Sequence, residues 1–189
     1  SMIATAENIA QRYDIPRARQ DAYALQSQRR TAAAQQAGRF DAEIAPIRVT
    51  QQLFARDGTP AGTQQLDFAR DEGNRPETTA AGLANLKPVA SPEGCITAGN
   101  ASQLSDGASA AILMSGRAVA ARGLAPLCRY CGFAVAGCAA DEMGIGPVLA
   151  VPRLLKQAGL CVEDIGLWEL NEAFAVQVLY CRDRLGIPD

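Results

Sequence analysis

The sequence predicts an α/β protein, a mixed sheet with covering helices, joined to a mostly helical region that holds a long loop. Three observations carry this. Ala108–Met114 is a small, apolar run that suits a strand buried on both faces. From Ile96 onward the pattern alternates strand, helix, strand, helix, strand, helix. Before it stand two polar helical stretches and a segment crowded with turn residues. The change of character falls near Pro92–Cys95, so two regions are expected: 1–94, helical with the long loop, and 95–189, the α/β part.

Taken in order, Thr5 is a candidate N-cap for a helix through Tyr13, and Asp14-Ile15-Pro16 stops it and opens the next. That second helix runs from Pro16 to about Ala37 and ends at Gly38. Its apolar stripe (Ala22, Leu25, Ala32, Ala33) is weak, which assigns both helices to a surface layer. Phe40–Val49 alternates as an exposed strand does, with Pro46 marking an edge. Gln51–Glu77 reads as a long loop of the kind used for binding elements. Thr79 caps a short helix to Leu86, before Lys87-Pro88. After the core strand, Ser115–Arg122 is a helix closed by Gly123, and Leu127–Val135 is a second strand. Pro152 lies in the first turn of a helix that reaches Ala158. Ile165–Leu170 is a third strand and Ala173–Leu185 the last helix.

Composition excludes several functions. At 189 residues, a net charge of −2 offers no electrostatic case for nucleic acid, and no apolar run approaches membrane-spanning length. There is no histidine, so the commonest general base near neutral pH is missing. Six cysteines stand at 95, 128, 131, 138, 161 and 181. Cys128 and Cys131 have the spacing of a zinc knuckle or redox pair, but no second CxxC and no His completes four ligands. Buried free thiols in a reducing, cytoplasmic compartment, with no metal, are expected.

Two stretches have the character of ligand sites. Cys95–Ser115 threads Gly99, Asn100, Ser102, Ser105, Asp106 and Gly107 through a loop that enters the apolar run. Glycines there let a backbone approach a ligand closely, at the strand end where α/β proteins bind. Leu170–Ala175 places Asn171 and Glu172 where a strand gives way to a helix. By itself Asn171 is an N-cap, although an Asn amide at such a point also holds a water or an oxyanion.

Together these motifs resemble the thiolase family: NEAFA (171–175), MGIGP (143–147), TAGNASQLSDGASAAILMS (97–115), TAEN (5–8), the Arg12–Ile47 run, and DEGNRP followed by LKP. The resemblance covers essentially the whole chain in family order. It implies a partial thiolase-like fold and acyl transfer through coenzyme A thioesters: thiolysis of a 3-ketoacyl-CoA, or condensation of acyl-CoAs, through an acyl-cysteine. Coenzyme A is then a substrate, and no resident cofactor is implied. Asn171 resembles the Asn that positions a water in an oxyanion hole, and Ala173 and Phe174 resemble residues lining the active site. Met143 resembles the Met of the acyl pocket, and Ala98, Ala101 and Ser102 the segment touching pantetheine. Arg75 resembles an Arg near the nucleotide, and Met2 a Met beside the pantetheine. Members are commonly dimers or tetramers.

The departures are as informative. Family position puts the nucleophilic cysteine before residue 1, and the GHP histidine and CxGGG cysteine after Asp189. None of the six cysteines stands in either motif. Ala90 replaces the Phe of a KPVF-type run, and Ile3 a Gly common before TAEN. The chain by itself is therefore expected to offer CoA-binding surface and one oxyanion-hole residue without turnover, its partners being acyl-CoA and the remaining thiolase halves. The alternative is a non-catalytic thiolase-like CoA-binding or assembly protein.

Overall fold

The computed structural model describes residues 1–188. Helix α1 (Met2–Arg12) begins one turn earlier than the Thr5 cap predicts, because Ser1 Oγ accepts from Ala4 N at 3.3 Å. Thr5 lies inside the helix, its hydroxyl donating to the Met2 carbonyl at 2.7 Å. Nor is α1 a surface layer. Ala6, Ile9 and Ala10 are buried at i, i+3 and i+4, and with Ile15, Ile96, Ile145, Val176 and Leu179 they form the core. Tyr13 stacks on Tyr180 at a centroid distance of 4.0 Å and extends that core to the last helix.

Helix α2 (Arg17–Gln36) is nearly as expected, but its inward face is not the alanine stripe. Ala22 is exposed, and the buried residues are Gln20, Asp21 and Ala24. The helix faces a loop with bare backbone groups instead of an apolar layer, so polar side chains suit the position. Gln20 Nε2 donates to the Ile15 carbonyl at 3.0 Å, and Asp21 Oδ1 accepts from Asn100 Nδ2 at 3.0 Å.

The predicted long loop is largely a hairpin. Strands β1 (Ile47–Phe54) and β2 (Pro60–Phe68) pair antiparallel, from Ile47 opposite Phe68 to Phe54 opposite Pro60. Their turn uses Gly58 at φ 83°, with Asp57 Oδ1 accepting from the Thr59 amide and hydroxyl at 3.0 and 2.7 Å. The Asp-Gly signal was in the sequence, but Thr50-Gln51-Gln52 and Thr63-Gln64-Gln65 show no apolar alternation, and backbone pairing needs none. Side-chain pairs cross it instead: Gln51 with Gln64, Thr50 with Gln65, and Arg48 with Asp67. The strand expected over Phe40–Val49 therefore starts only at Ile47, after turns beyond α2.

Helix α3 (Ala80–Ala84) is capped by Thr79 as expected and ends two residues before Leu86, and α4 (Gly116–Ala121) forms where expected with Ser115 as its cap. Helix α5 (Gly146–Ala158) starts earlier than predicted, with Pro147 in its first turn and Pro152 inside it. Helix α6 (Ala175–Leu185) starts two residues later than predicted.

The three expected core strands are not formed. Residues 108–114, 127–135 and 165–170 carry no ladder; the apolar side chains of the first two lie mostly in the open, Ile112 being 87% exposed and Phe133 69%, while in the third Leu170 packs on the core. Their composition suits a strand, but a strand exists only beside a hydrogen-bonded neighbour, and none of the described residues provides one. Six thiols are free, yet only Cys181 is buried. Cys128, Cys131 and Cys161 are exposed, the first two because their run is unpaired.

The core is keyed to the 95–101 loop by one buried carboxylate. Glu7 accepts from the Cys95 amide at 3.0 Å and the Ile96 amide at 2.9 Å. Replacing it by Ala leaves the buried Ile96 N–H unpaired. Glu7→Ala is expected to lower the unfolding free energy by about 1.5–3 kcal/mol, the scale of hydrogen bonds to a charged acceptor. The shift of the urea midpoint at constant slope measures it.

Candidate functional site

The two ligand-type stretches of the sequence meet. Ser102 N donates to the Ala173 carbonyl at 3.0 Å, and Ala175 N donates to the Asn100 carbonyl at 2.9 Å. These bonds make an antiparallel bridge centred on Ala101 and Phe174. Above it opens a groove of about 260 Å³, with Ser102, Gln103 and Asn171 on one side and Ser27, Gln28 and Asn74 on the other.

Each wall has a local cause. Asn100, 3% exposed, folds the loop onto itself: its Oδ1 accepts from Thr97 N at 2.9 Å, and its Nδ2 donates to the Cys95 carbonyl at 2.9 Å and to Asp21. Asp21 is held in turn by Arg17 at 2.7 Å, whose guanidinium also donates to the Leu83 and Leu86 carbonyls. Gly99 faces Leu83 and Leu86 so closely that an added Cβ would lie 2.5 Å from Leu83 Cδ2, which accounts for glycine there. The far wall is tied to α2 by Gln28. Asn74 Nδ2 donates to the Gln28 carbonyl at 2.9 Å, and the Arg75 amide donates to Gln28 Oε1 at 2.7 Å.

Of the residues singled out in the sequence, Ala101, Ser102 and Asn171 line this groove. Ala173 and Phe174 supply the backbone bridge beneath it, with Phe174 packed on the core. Arg75 follows Asn74, is exposed and lies outside the groove lining. Asn171 is not an N-cap, since α6 begins four residues later behind Phe174. Ala98 and Met2 are exposed, and Met2 opens α1. Met143 sits in the 3-10 turn Ala140–Ile145, which α1 holds: Asn8 Nδ2 donates to the Asp141 carbonyl at 2.9 Å, Arg12 pairs with Asp141 and Glu142, and Tyr13 donates to Glu142 at 3.0 Å.

The sequence alone did not single out Tyr23, Ser27, Gln28 or Asn74 as groove residues, and it named Glu172 only as a member of the Leu170–Ala175 stretch. A trace was available in Tyr23, Ser27 and Thr31, spaced by four and therefore stacked on one face of α2. Tyr23 and Ser27 both donate to the Glu172 carboxylate. The groove lining has no lysine or arginine, its charged members are the acids Asp71 and Glu172, and Asn74 Oδ1 is buried without a partner. Such a lining suits an amide-bearing chain without negative charge, whose N–H groups find acceptors along it.

The thiols nearest the core are not poised as nucleophiles. Burial pushes both Cys95 and Cys181 up to about 11, so each remains protonated at neutral pH. A thiol raised on folding stabilises the native state fully below its unfolded value near 9, and that stability is lost as pH rises through the folded value. Between pH 9 and 11 the unfolding free energy is therefore expected to fall more steeply in the wild type than in a Cys95→Ala/Cys181→Ala double variant, as read by urea titration at each pH.

Comparison with known proteins gives a consistent picture. The family described as thiolase, N-terminal domain, matches residues 1–117, and that described as thiolase, C-terminal domain, matches residues 124–189. The chain is 48% identical over 189 residues to the 3-ketoacyl-CoA thiolase of Bacillus subtilis, covering 100% of this chain and 48% of that protein. It is 48% identical over 182 residues to the acetyl-CoA acetyltransferase of Chromobacterium violaceum, covering 96% and 44%. Among solved structures it is similar to the Bacillus anthracis acetyl-CoA acetyltransferase, with a TM-score of 0.89 and 39% identity over 100% of this chain and 45% of that one. The human mitochondrial 3-ketoacyl-CoA thiolase in complex with CoA superposes with a TM-score of 0.85 and 43% identity, over 99% and 44%. The chain spans under half the length of the curated relatives it matches.

Proposed function

We propose, for a chain that belongs to the thiolase family, that it is the CoA-facing and oxyanion-side portion of an acyl-CoA C-acyltransferase. The observation that supports this is the bridge between residues 100–102 and 173–175, which sets Ser102 and Asn171 on one groove. In this reading the polar lining, free of lysine and arginine, takes the pantetheine arm, with Ser102 and Asn74 as its polar contacts. Arg75, just outside, meets the nucleotide end, where its fixed positive charge matches phosphate. Asn171 holds the water that stabilises the developing enolate oxygen. Met143 belongs to the acyl pocket and Met2 stands near the pantetheine.

The chain does not contain the family's Cys nucleophile motif, GHP histidine or CxGGG cysteine, and its buried thiols are held protonated. Turnover therefore requires those groups from further thiolase segments, assembled into a dimer or tetramer in a reducing, cytoplasmic setting that matches the six free cysteines. No helix among the described residues is long and apolar enough to cross a membrane.

Two measurements on the 189-residue chain test this. Mixing it with acetoacetyl-CoA and CoA is expected to give no loss of ketoacyl-CoA absorbance; turnover would assign the nucleophile to one of the six cysteines and overturn the division of labour. Calorimetric titration with CoA is expected to show binding that weakens about tenfold in Arg75→Ala, the size of one charge-assisted contact. An unchanged affinity would remove Arg75 from the nucleotide site, and absent binding would remove the CoA role altogether.

A further inference from the structure

Asn171 stands in a segment, residues 165–172, that belongs to no helix or strand. The backbone bridge at residues 173–175 anchors the chain just after it, and side-chain tethers fix residues 171 and 172 themselves. The next residue, Glu172, carries them. Tyr23 Oη donates to Glu172 Oε1, and Ser27 Oγ donates to Glu172 Oε2 at 3.1 Å. The two donors lie four residues apart on α2, one above the other on the same face. Hydroxyls on opposite oxygens fix the plane of a carboxylate as well as its distance.

Helix α2 is itself anchored at the groove floor. Asp21, two residues before Tyr23, accepts from Asn100, and the Asn100 carbonyl accepts from Ala175 N. Tyr23 also packs against the core. Burial first, and its bond to Glu172 second, push the Tyr23 hydroxyl well above its ordinary range, so it stays a donor. One helix thus holds the floor of the groove through Asp21 and its rim through Tyr23 and Ser27.

We propose that Tyr23 and Ser27 are positioning residues for Asn171: by clamping the adjacent Glu172 carboxylate they hold the Asn171 side chain over the groove. The inference rests on the ligand-facing role of Asn171 given above. Neither hydroxyl touches the reacting atoms. Their effect passes through Glu172 to the backbone of its neighbour.

Selective 15N-asparagine labelling of the chain gives five backbone signals, from Asn8, Asn74, Asn85, Asn100 and Asn171. In the wild type, relaxation is expected to show Asn171 near the rigid-backbone order parameter of about 0.85, falling below about 0.6 in Tyr23→Phe/Ser27→Ala. Asn100, tied to the same helix through Asp21, is expected to stay rigid in both. Ser27→Thr, which keeps its hydroxyl, is expected to behave as wild type. Unchanged order at Asn171, or an equal loss at Asn100, would overturn the proposal, the second by showing general loosening of α2. Titrating the wild type with acetoacetyl-CoA keeps the two claims separate. A shift at Asn171 that disappears in the double variant supports both, whereas no shift at Asn171 in the wild type overturns its ligand role and with it the inference.

Discussion

The floor of the groove depends on how two carboxylates of the first two helices receive the 95–101 loop. Glu7 on α1 accepts the amides of Cys95 and Ile96, and Asp21 on α2 accepts the side-chain amide of Asn100. A loop buried this deeply has backbone donors that water cannot reach, and each must find a protein acceptor. Carboxylates accept several bonds at once and are held in turn by neighbours, as Arg17 holds Asp21. This is why two helices whose exposed faces are strongly polar also carry buried acids: their inward surface meets peptide groups as well as apolar side chains.

From that loop the geometry propagates in one direction. Asn100 and Ser102 bond to residues 173–175, and so the NEAFA turn is set by the loop rather than by the helix it precedes. Phe174 and Tyr23 pack on the core beneath, while Asn171, Glu172 and Ser102 face the groove above. Apolar contact supplies the foundation, and directional bonds supply orientation. The opposite end of the core works similarly. Arg12 and Tyr13 of α1 reach the 140–145 turn, where Gly144 lies against Ile9 and Gln177 with no room for a side chain.

The contrast between residues 95–101 and the runs 108–114 and 127–135 shows what makes a segment adopt its predicted form. All were expected to be parts of a core. The first is buried because its acceptors lie elsewhere in the chain, on α1 and α2. The two runs have the right composition but no adjacent strand among the described residues, and they remain mostly exposed. Helices α3 and α4 behaved as predicted because their caps are local: Thr79 and Ser115 each satisfy an amide three residues away. The hairpin shows the reverse case, a long-range pairing that polar Gln and Thr side chains concealed.

The sequence by itself determined the features whose causes lie within a few residues: where α5 and α6 end, the Gly-containing polar loop, and the motifs that mark the family. It also determined what chemistry is missing, since a chain without histidine and without the family's cysteine motifs cannot hide them in its fold. Only the tertiary structure decided that α1 is central, that Gln20 and Asp21 face inward, and that Tyr23, Ser27 and Glu172 share the groove with Asn171. Those facts depend on partners between about 80 and 150 residues apart, such as Glu7 with Cys95 and Tyr23 with Glu172. A buried polar side chain is stable only where its distant partner arrives, and no local pattern records where that will be.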